Sequence, residues 1–424
     1  MYRYLIVAIF LLIPVLAMGQ DYEMADRVYS GNIKTVKLHR PEWNLSYPVI
    51  KLNSDEKLVL HFDLLGNNIE TYYYSFIHCD RDWNVSDIFS PDYIKGFEEN
   101  QVRDYSISFN TTVNYIHYSL TFPNEDISFK LSGNYIVKVY PAGYPDEPVL
   151  TRRFMISEEA VSITAEPQRP KLPSAYNSGQ QIDFTVEYPG GTITDPYRTV
   201  FASILQNGRW DKQKNNLKPD FIGNKQLRYN DIDGKYTFAG GSEFRYFDIK
   251  SLRYQTEYVR AVEHENGRYH VYLMHSDNRS DDRYFYHQDF NGKYFTAIQE
   301  GRDHELEADY VFVYFTLPSA FPVKNGDVYV NGALSGWELN EQNRMSYNYE
   351  LNRYELTMLL KQGWYNYIYT AADKRGNILS DQSFESDHFE TENDYLILVY
   401  LAEPMDRYDR LIGAKITNTL NRNN

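Results

Sequence analysis

Apolar and polar positions along this chain change over in short runs rather than at helical spacing. Residues 57–62, 72–77, 115–120 and 133–140 are each of strand length, and the last two alternate apolar with polar side chains, as a strand with one buried face must. Turn residues separate them. About seven such runs lie between residues 45 and 157, the strand count of an immunoglobulin-like sandwich, and residues 152–156 close the set. Pro167, Pro170 and Pro173 follow, each fixing φ and removing a ladder donor, so a boundary is expected near Glu158.

A second antiparallel unit begins at residues 181–186. Asp233-Gly234, Asn266-Gly267 and Asn291-Gly292 supply the positive φ angles of type I′ turns and predict three hairpins. The acid-rich stretch 300–309 lacks an apolar period and reads as a linker, with His304 and Glu305 solvated. A third unit opens at residues 310–315. It holds a hairpin turning at Leu351-Asn352, and the runs 363–369 and 395–400 are expected to complete it, with 411–417 as a last edge strand. No helix-length apolar period occurs beyond the N-terminal segment. The expected fold is all-β: tandem β-sandwich domains of immunoglobulin-like or E-set-like form, with few short helices. The division is residues 1–19, 20–158, 159–308 and 309–424.

Composition sharpens this reading. Of 424 residues, 42% are hydrophobic, which suffices for real cores, and 40 are Tyr, a residue that suits pleated, half-buried strands. A single Cys rules out a disulfide framework and any multi-cysteine metal centre. The net charge of −15 leaves no broad basic face for a nucleic-acid backbone. Residues 1–19 carry Arg3, an apolar run shorter than a membrane span, and Ala17 and Gly19 at signal-peptidase spacing. This predicts an exported chain cut before Gln20 and released soluble, since no lipoprotein Cys follows. The strands are too short and too charged for insertion as a barrel.

Few residues suggest catalysis. His78 and Cys79 resemble a nucleophilic pair, but adjacent residues on a strand face opposite ways, so Cys79 is expected to be a buried structural thiol. The acids scatter through turns, no HExxH occurs, and Asp231-Ile232-Asp233-Gly234 lacks the distal ligands of a calcium loop. No catalytic residue, metal or cofactor is assigned. Trp337, on a loop after Asn331-Gly332, and Trp364, within a strand and expected in the core, are similar in setting to the aromatic residues of starch- and glycogen-binding sandwich modules. That motivates an alternative reading as a glycan-binding protein of the periplasm or cell surface.

A longer ordered set carries a more specific likeness. His78, Cys79, Asp80, Arg81, Asp82 and Trp83 are followed by Tyr93, Gly96 and Phe97, then by Ser132, Gly133, Asn134 and Tyr135, and by Arg152, Arg153 and Phe154. Gln206, Asn207, Gly208, Arg209, Trp210 and Asp211 extend it into the middle unit. The chain resembles the plug proteins of the type IX secretion system. The resemblance implies a non-enzymatic periplasmic protein of Bacteroidota, peripheral to the outer membrane, that binds and seals the large β-barrel translocon. It leaves open whether Trp83 and Gly96 fix the first sandwich or meet a partner.

Overall fold

A computed structural model describes residues 22–420, except residues 192 and 231. The expected signal segment lies outside the described residues. The fold is almost all β, arranged as three sandwiches.

In the first, one sheet runs Ile33–His39, Leu58–Leu65, Tyr115–Phe122, Asp104–Ile107. The other runs Arg27–Val28, Leu150–Ser157, Gly133–Pro141, Tyr72–Cys79, Asn100–Gln101, with Val49–Lys51 added in parallel to Leu150–Ser157. Leu58, Leu60, Phe62 and Leu64 point inward against Tyr72, Tyr74, Phe76, Tyr135, Val137 and Val139, the period-two arrangement expected of strands. Leu58–Leu65 and Gly133–Pro141 are each buried on both faces. On Leu58–Leu65, Asp63 is also buried, and on Gly133–Pro141, Ile136 is buried away from the core. Each outer face is covered by a neighbouring sandwich.

The second sandwich pairs Ser162–Gln168, Gly179–Glu187, Gln226–Tyr229 and Phe221–Gly223, with Thr237–Ala239 also on Gly179–Glu187, against a sheet ordered Lys214–Leu217, Val200–Gln206, Asp394–Leu401, Arg410–Asn418. The run at 395–400 therefore does not complete the third unit. It pairs with Val200–Gln206 over seven residues and fills the second core with Tyr395, Ile397 and Val399. The third sandwich is built from strands between Arg245 and Asp373. Gly363–Asp373 holds Arg245–Asp248, Tyr294–Thr296 and Gly326–Asn331, facing a sheet ordered Val259–Glu265, Arg268–Leu273, Tyr310–Pro318, Arg353–Lys361, Ser346–Asn348. Four strands expected in the middle unit thus belong to the third, which is inserted between Thr237–Ala239 and Asp394–Leu401.

The turns divide in the same way. Asn266 and Gly267, at φ 50° and 74°, join paired strands as a two-residue hairpin. Gly234 takes φ 82°, yet the strands on either side of it lie end to end along Gly179–Glu187 and do not pair with each other. Asn291-Gly292 likewise turns the chain into Tyr294–Thr296 without closing a hairpin. The third-unit hairpin forms with a four-residue loop, Asn348 pairing with Arg353.

Candidate functional site at the joints between sandwiches

The His78–Trp83 segment leaves strand Tyr72–Cys79 as a tight loop. The Asp80 carboxylate accepts the backbone N–H groups of Asp82 and Asn84, each at 2.9 Å, and this fold-back carries Trp83 into the left-handed region at φ 67°. Such a conformation is costly for a bulky residue and persists only where the surroundings hold it. Here they do. The Arg153 guanidinium lies 4.5 Å from the Trp83 ring centre and 4.8 Å from that of Trp210, which belongs to the second sandwich. The two indoles meet edge to face at 4.9 Å. Asp26 clamps the group, accepting the Arg153 backbone N–H at 2.7 Å and the Trp210 Nε1–H at 2.9 Å.

Asn134 links the same joint from below, donating to the Asp80 carbonyl and accepting the Tyr400 hydroxyl, both at 2.9 Å. Arg81 reaches across to Asp409 at 2.8 Å and stacks on Phe201 at 3.9 Å. Cys79 is fully buried among Tyr47, Met155 and Leu398, where burial pushes its thiol up to about 12. It is buried, as its strand position implied. His78 turns the other way, donating from Nε2 to the Ser132 carbonyl at 3.0 Å and accepting from the Ser86 hydroxyl at 2.8 Å. Burial lowers its pKa to about 4.

Gly133 and Gly208 serve close approach. A Cβ on Gly133, at φ +136°, would stand 2.6 Å from His78 Nε2, and one on Gly208, at φ +69°, would stand 2.5 Å from the Tyr47 ring. Asn207 brackets Asp394 with a backbone bond at 2.8 Å and a side-chain bond at 2.9 Å. Tyr47 then binds the Asp394 carboxylate at 3.1 Å and stacks under Lys293 of the third sandwich at 3.7 Å. The remaining motif residues do not share this joint. Tyr135 and Phe154 stack in the first core at 5.3 Å, Gly96 ends the short strand Ile94–Gly96, and Phe97 is exposed.

Neither Trp337 nor Trp364 stands as a free platform. Trp337 is half-buried, with Arg209 over its ring at 4.1 Å and Phe244 at its edge. Trp364, expected in the core, lies on the face of its strand opposite Tyr365 and stacks on Tyr246 at 5.0 Å with Phe290 edge-on at 4.6 Å.

A second joint, between the first and third sandwiches, is polar and buried. Asp63 and Lys361 are both fully buried and bonded at 2.8 Å. Tyr310 donates its hydroxyl to the same Asp63 oxygen at 2.7 Å, and His117 Nδ1 donates to the other at 2.7 Å. Burial opposes the Asp63 charge, but Lys361 and His117 hold its pKa below the usual carboxylate range. Glu305 is only partly solvated. Burial opposes its charge too, yet the cationic groups around it, Lys37 foremost, keep it down at about 2, and its backbone carbonyl accepts from Tyr115 and Lys361.

Residues 33–158 match the family model described as type 9 secretion system plug protein, 1st domain. A crystal structure at 2.30 Å resolution of a hypothetical protein from Parabacteroides merdae ATCC 43184 aligns with a TM-score of 0.89 at 33% identity, over 94% of this chain and 100% of that one. The chain belongs to the type 9 secretion system plug family. No curated protein matches it. The family is one of secretion components, associated with an outer-membrane channel and periplasmic in setting.

An apolar rim runs from the matched sandwich onto the loop between the second-sandwich strands Asp394–Leu401 and Arg410–Asn418. Phe89 and Phe97 are each 75% exposed and Met405 is 93% exposed, with Val85 close by in sequence to Phe89. Ser90 bonds Glu98, tying the loops of the two phenylalanines together, and Arg407 bonds the Asp87 carbonyl and pairs with Asp92, bringing the Met405 loop alongside. Phe97 is the one motif residue on this rim. Sequence reading missed Asp26, Asp63, Tyr400 and Lys361, because their partners lie tens to hundreds of positions away. Asp63 alone left a trace, as a carboxylate in a strand whose only other polar residue is His61.

Proposed function

We propose that this plug-family chain docks at the periplasmic mouth of the type IX outer-membrane translocon barrel and closes it when no substrate occupies the channel. The observation that supports this most is the rim formed by Phe89 and Phe97 on the sandwich that matches the family model, with Met405 of the second sandwich alongside. Large apolar side chains held out in water mark partner surfaces, and aromatic anchors dominate interface energetics. Plugging requires area, shape and rigidity, and two bonded joints brace the rim-bearing sandwich against its neighbours.

The test is capture of the barrel from outer-membrane extracts by the tagged mature chain, compared with a Phe89→Glu/Phe97→Glu variant. The wild-type chain is expected to recover a very large β-barrel and the variant to lose at least tenfold, with its circular dichroism and melting temperature unchanged. Failure of the wild-type chain to recover any barrel, or equal recovery by the variant, overturns the corresponding half of the proposal. Adding the wild-type chain to reconstituted translocon is further expected to lower its ion conductance.

A further inference from the structure

The buried joint between the first and third sandwiches contains a donor set that its own hydrogen bonds do not satisfy. His61 and His117 stand diagonally on the paired strands Leu58–Leu65 and Tyr115–Phe122, since His117 is opposite Asp63 and His61 opposite Ser119. Both point outward from the first core toward Glu305. The Asp63 carboxylate accepts from His117 Nδ1, which leaves Nε2 as the ring atom turned toward the joint. It faces His61 Nδ1 at 3.1 Å and Glu305 Oε2 at 3.7 Å. Glu305 Oε2 is buried and has no hydrogen-bond partner among the described residues. Glu305 Oε2 thus stands beside two ring nitrogens without a hydrogen bond to either.

We propose that His61 Nδ1, His117 Nε2 and Glu305 Oε2 bind one divalent transition-metal ion, zinc being the first to test, which staples the first sandwich to the third. The three donor atoms lie within 4.8 Å of one another. Ligands on a tetrahedral zinc at about 2.0–2.2 Å stand about 3.3 Å apart, against 3.1 Å and 3.7 Å for the two pairs that include His117. Two imidazoles and one carboxylate form a donor set that favours zinc and its neighbours over magnesium or calcium. Asp63 supplies the carboxylate behind a ligating histidine that fixes its tautomer and ring orientation, and Tyr310 and Lys361 fix Asp63 in turn. The Glu305 side chain is 30% exposed although its Oε2 is covered, which gives an ion a route in. Lys37, with Nζ 3.6 Å from Glu305 Oε1 and 2.8 Å from the Thr296 hydroxyl, is the cation that neutralises Glu305 when the metal is absent.

The experiment uses the full mature chain without an affinity tag, stripped with EDTA and titrated with zinc chloride by calorimetry and with cobalt chloride by visible absorption. The expected result is one ion per chain at micromolar affinity or tighter, a tetrahedral cobalt band, and a melting temperature that rises with zinc. Glu305→Gln and His61→Gln are expected to weaken zinc at least tenfold and to abolish the zinc-dependent rise. Glu305→Gln keeps the backbone carbonyl that Tyr115 and Lys361 use but removes the carboxylate facing Lys37, so the zinc-dependent rise is read for each variant against its own metal-free melting temperature. Absence of binding, or zinc affinity unchanged in Glu305→Gln, overturns the site. The readout involves no translocon and is independent of the plugging proposal.

Discussion

At the scale of single residues, burial decides what the suggestive side chains do. Cys79 and His78 are neighbours in sequence, yet one is sealed in the joint and the other is bonded to Ser86 and Ser132. Desolvation pushes the Cys79 thiol up to about 12 and His78 down to about 4, so neither is poised for nucleophilic chemistry near neutral pH. The His78 shift has a stability consequence. Its unfolded pKa is near 6.5, so between about pH 6.5 and pH 4 the unfolded chain binds a proton that the folded chain does not. Stability from this group is complete above about pH 6.5 and is lost as pH falls toward 4, by up to about 3 kcal/mol. Denaturant titrations at pH 7 and pH 4.5 are expected to show a smaller difference for His78→Gln than for wild type. The period-two rule placed Cys79 and His78 on opposite faces from sequence alone. It did not place Glu305, because a polar stretch without period looks the same whether it meets water or a buried Lys37.

At the scale of elements, strands were legible and their partners only locally so. Asn266-Gly267 forms its hairpin because the turn chemistry and both strands are contiguous. Asp233-Gly234 has the same chemistry, but the flanking strands are each captured by Gly179–Glu187. Asp394–Leu401 is the extreme case, pairing with Val200–Gln206 across the inserted third sandwich. Its removal should be decisive for the second sandwich. Ending the chain after residue 386 strips Tyr395, Ile397, Val399, Leu401 and Ile412 from that core. At about 1.5–3 kcal/mol per buried large apolar side chain, the loss is about 10 kcal/mol, comparable to the whole stability of a domain. Hydrogen exchange on the truncated chain is expected to show rapid exchange over residues 159–239, with protection kept over residues 245–373, whose sheets close without the missing strands.

At the scale of the whole molecule, the three sandwiches act together through joints made of aromatic, cationic and carboxylate groups. Trp210 is the point where the first joint can be opened with least damage to either core, since it is half-buried and contributes to Asp26, Arg153 and Trp83. Trp210→Ala is expected to cost on the order of 2 kcal/mol and to split one calorimetric transition into two. A single unbroken transition in the variant would show that the joint does not couple the sandwiches. The sequence by itself determined the all-β class, the strand positions and the family, because alternation, turn residues and an ordered motif set are local properties of the chain. Only the tertiary structure decided that the motif residues largely build a joint, that the third sandwich is inserted in the second, and that Asp63, His61, His117 and Glu305 meet. Those outcomes depend on which outer faces cover one another, and burial of a second face leaves little mark on the order of residues in a strand.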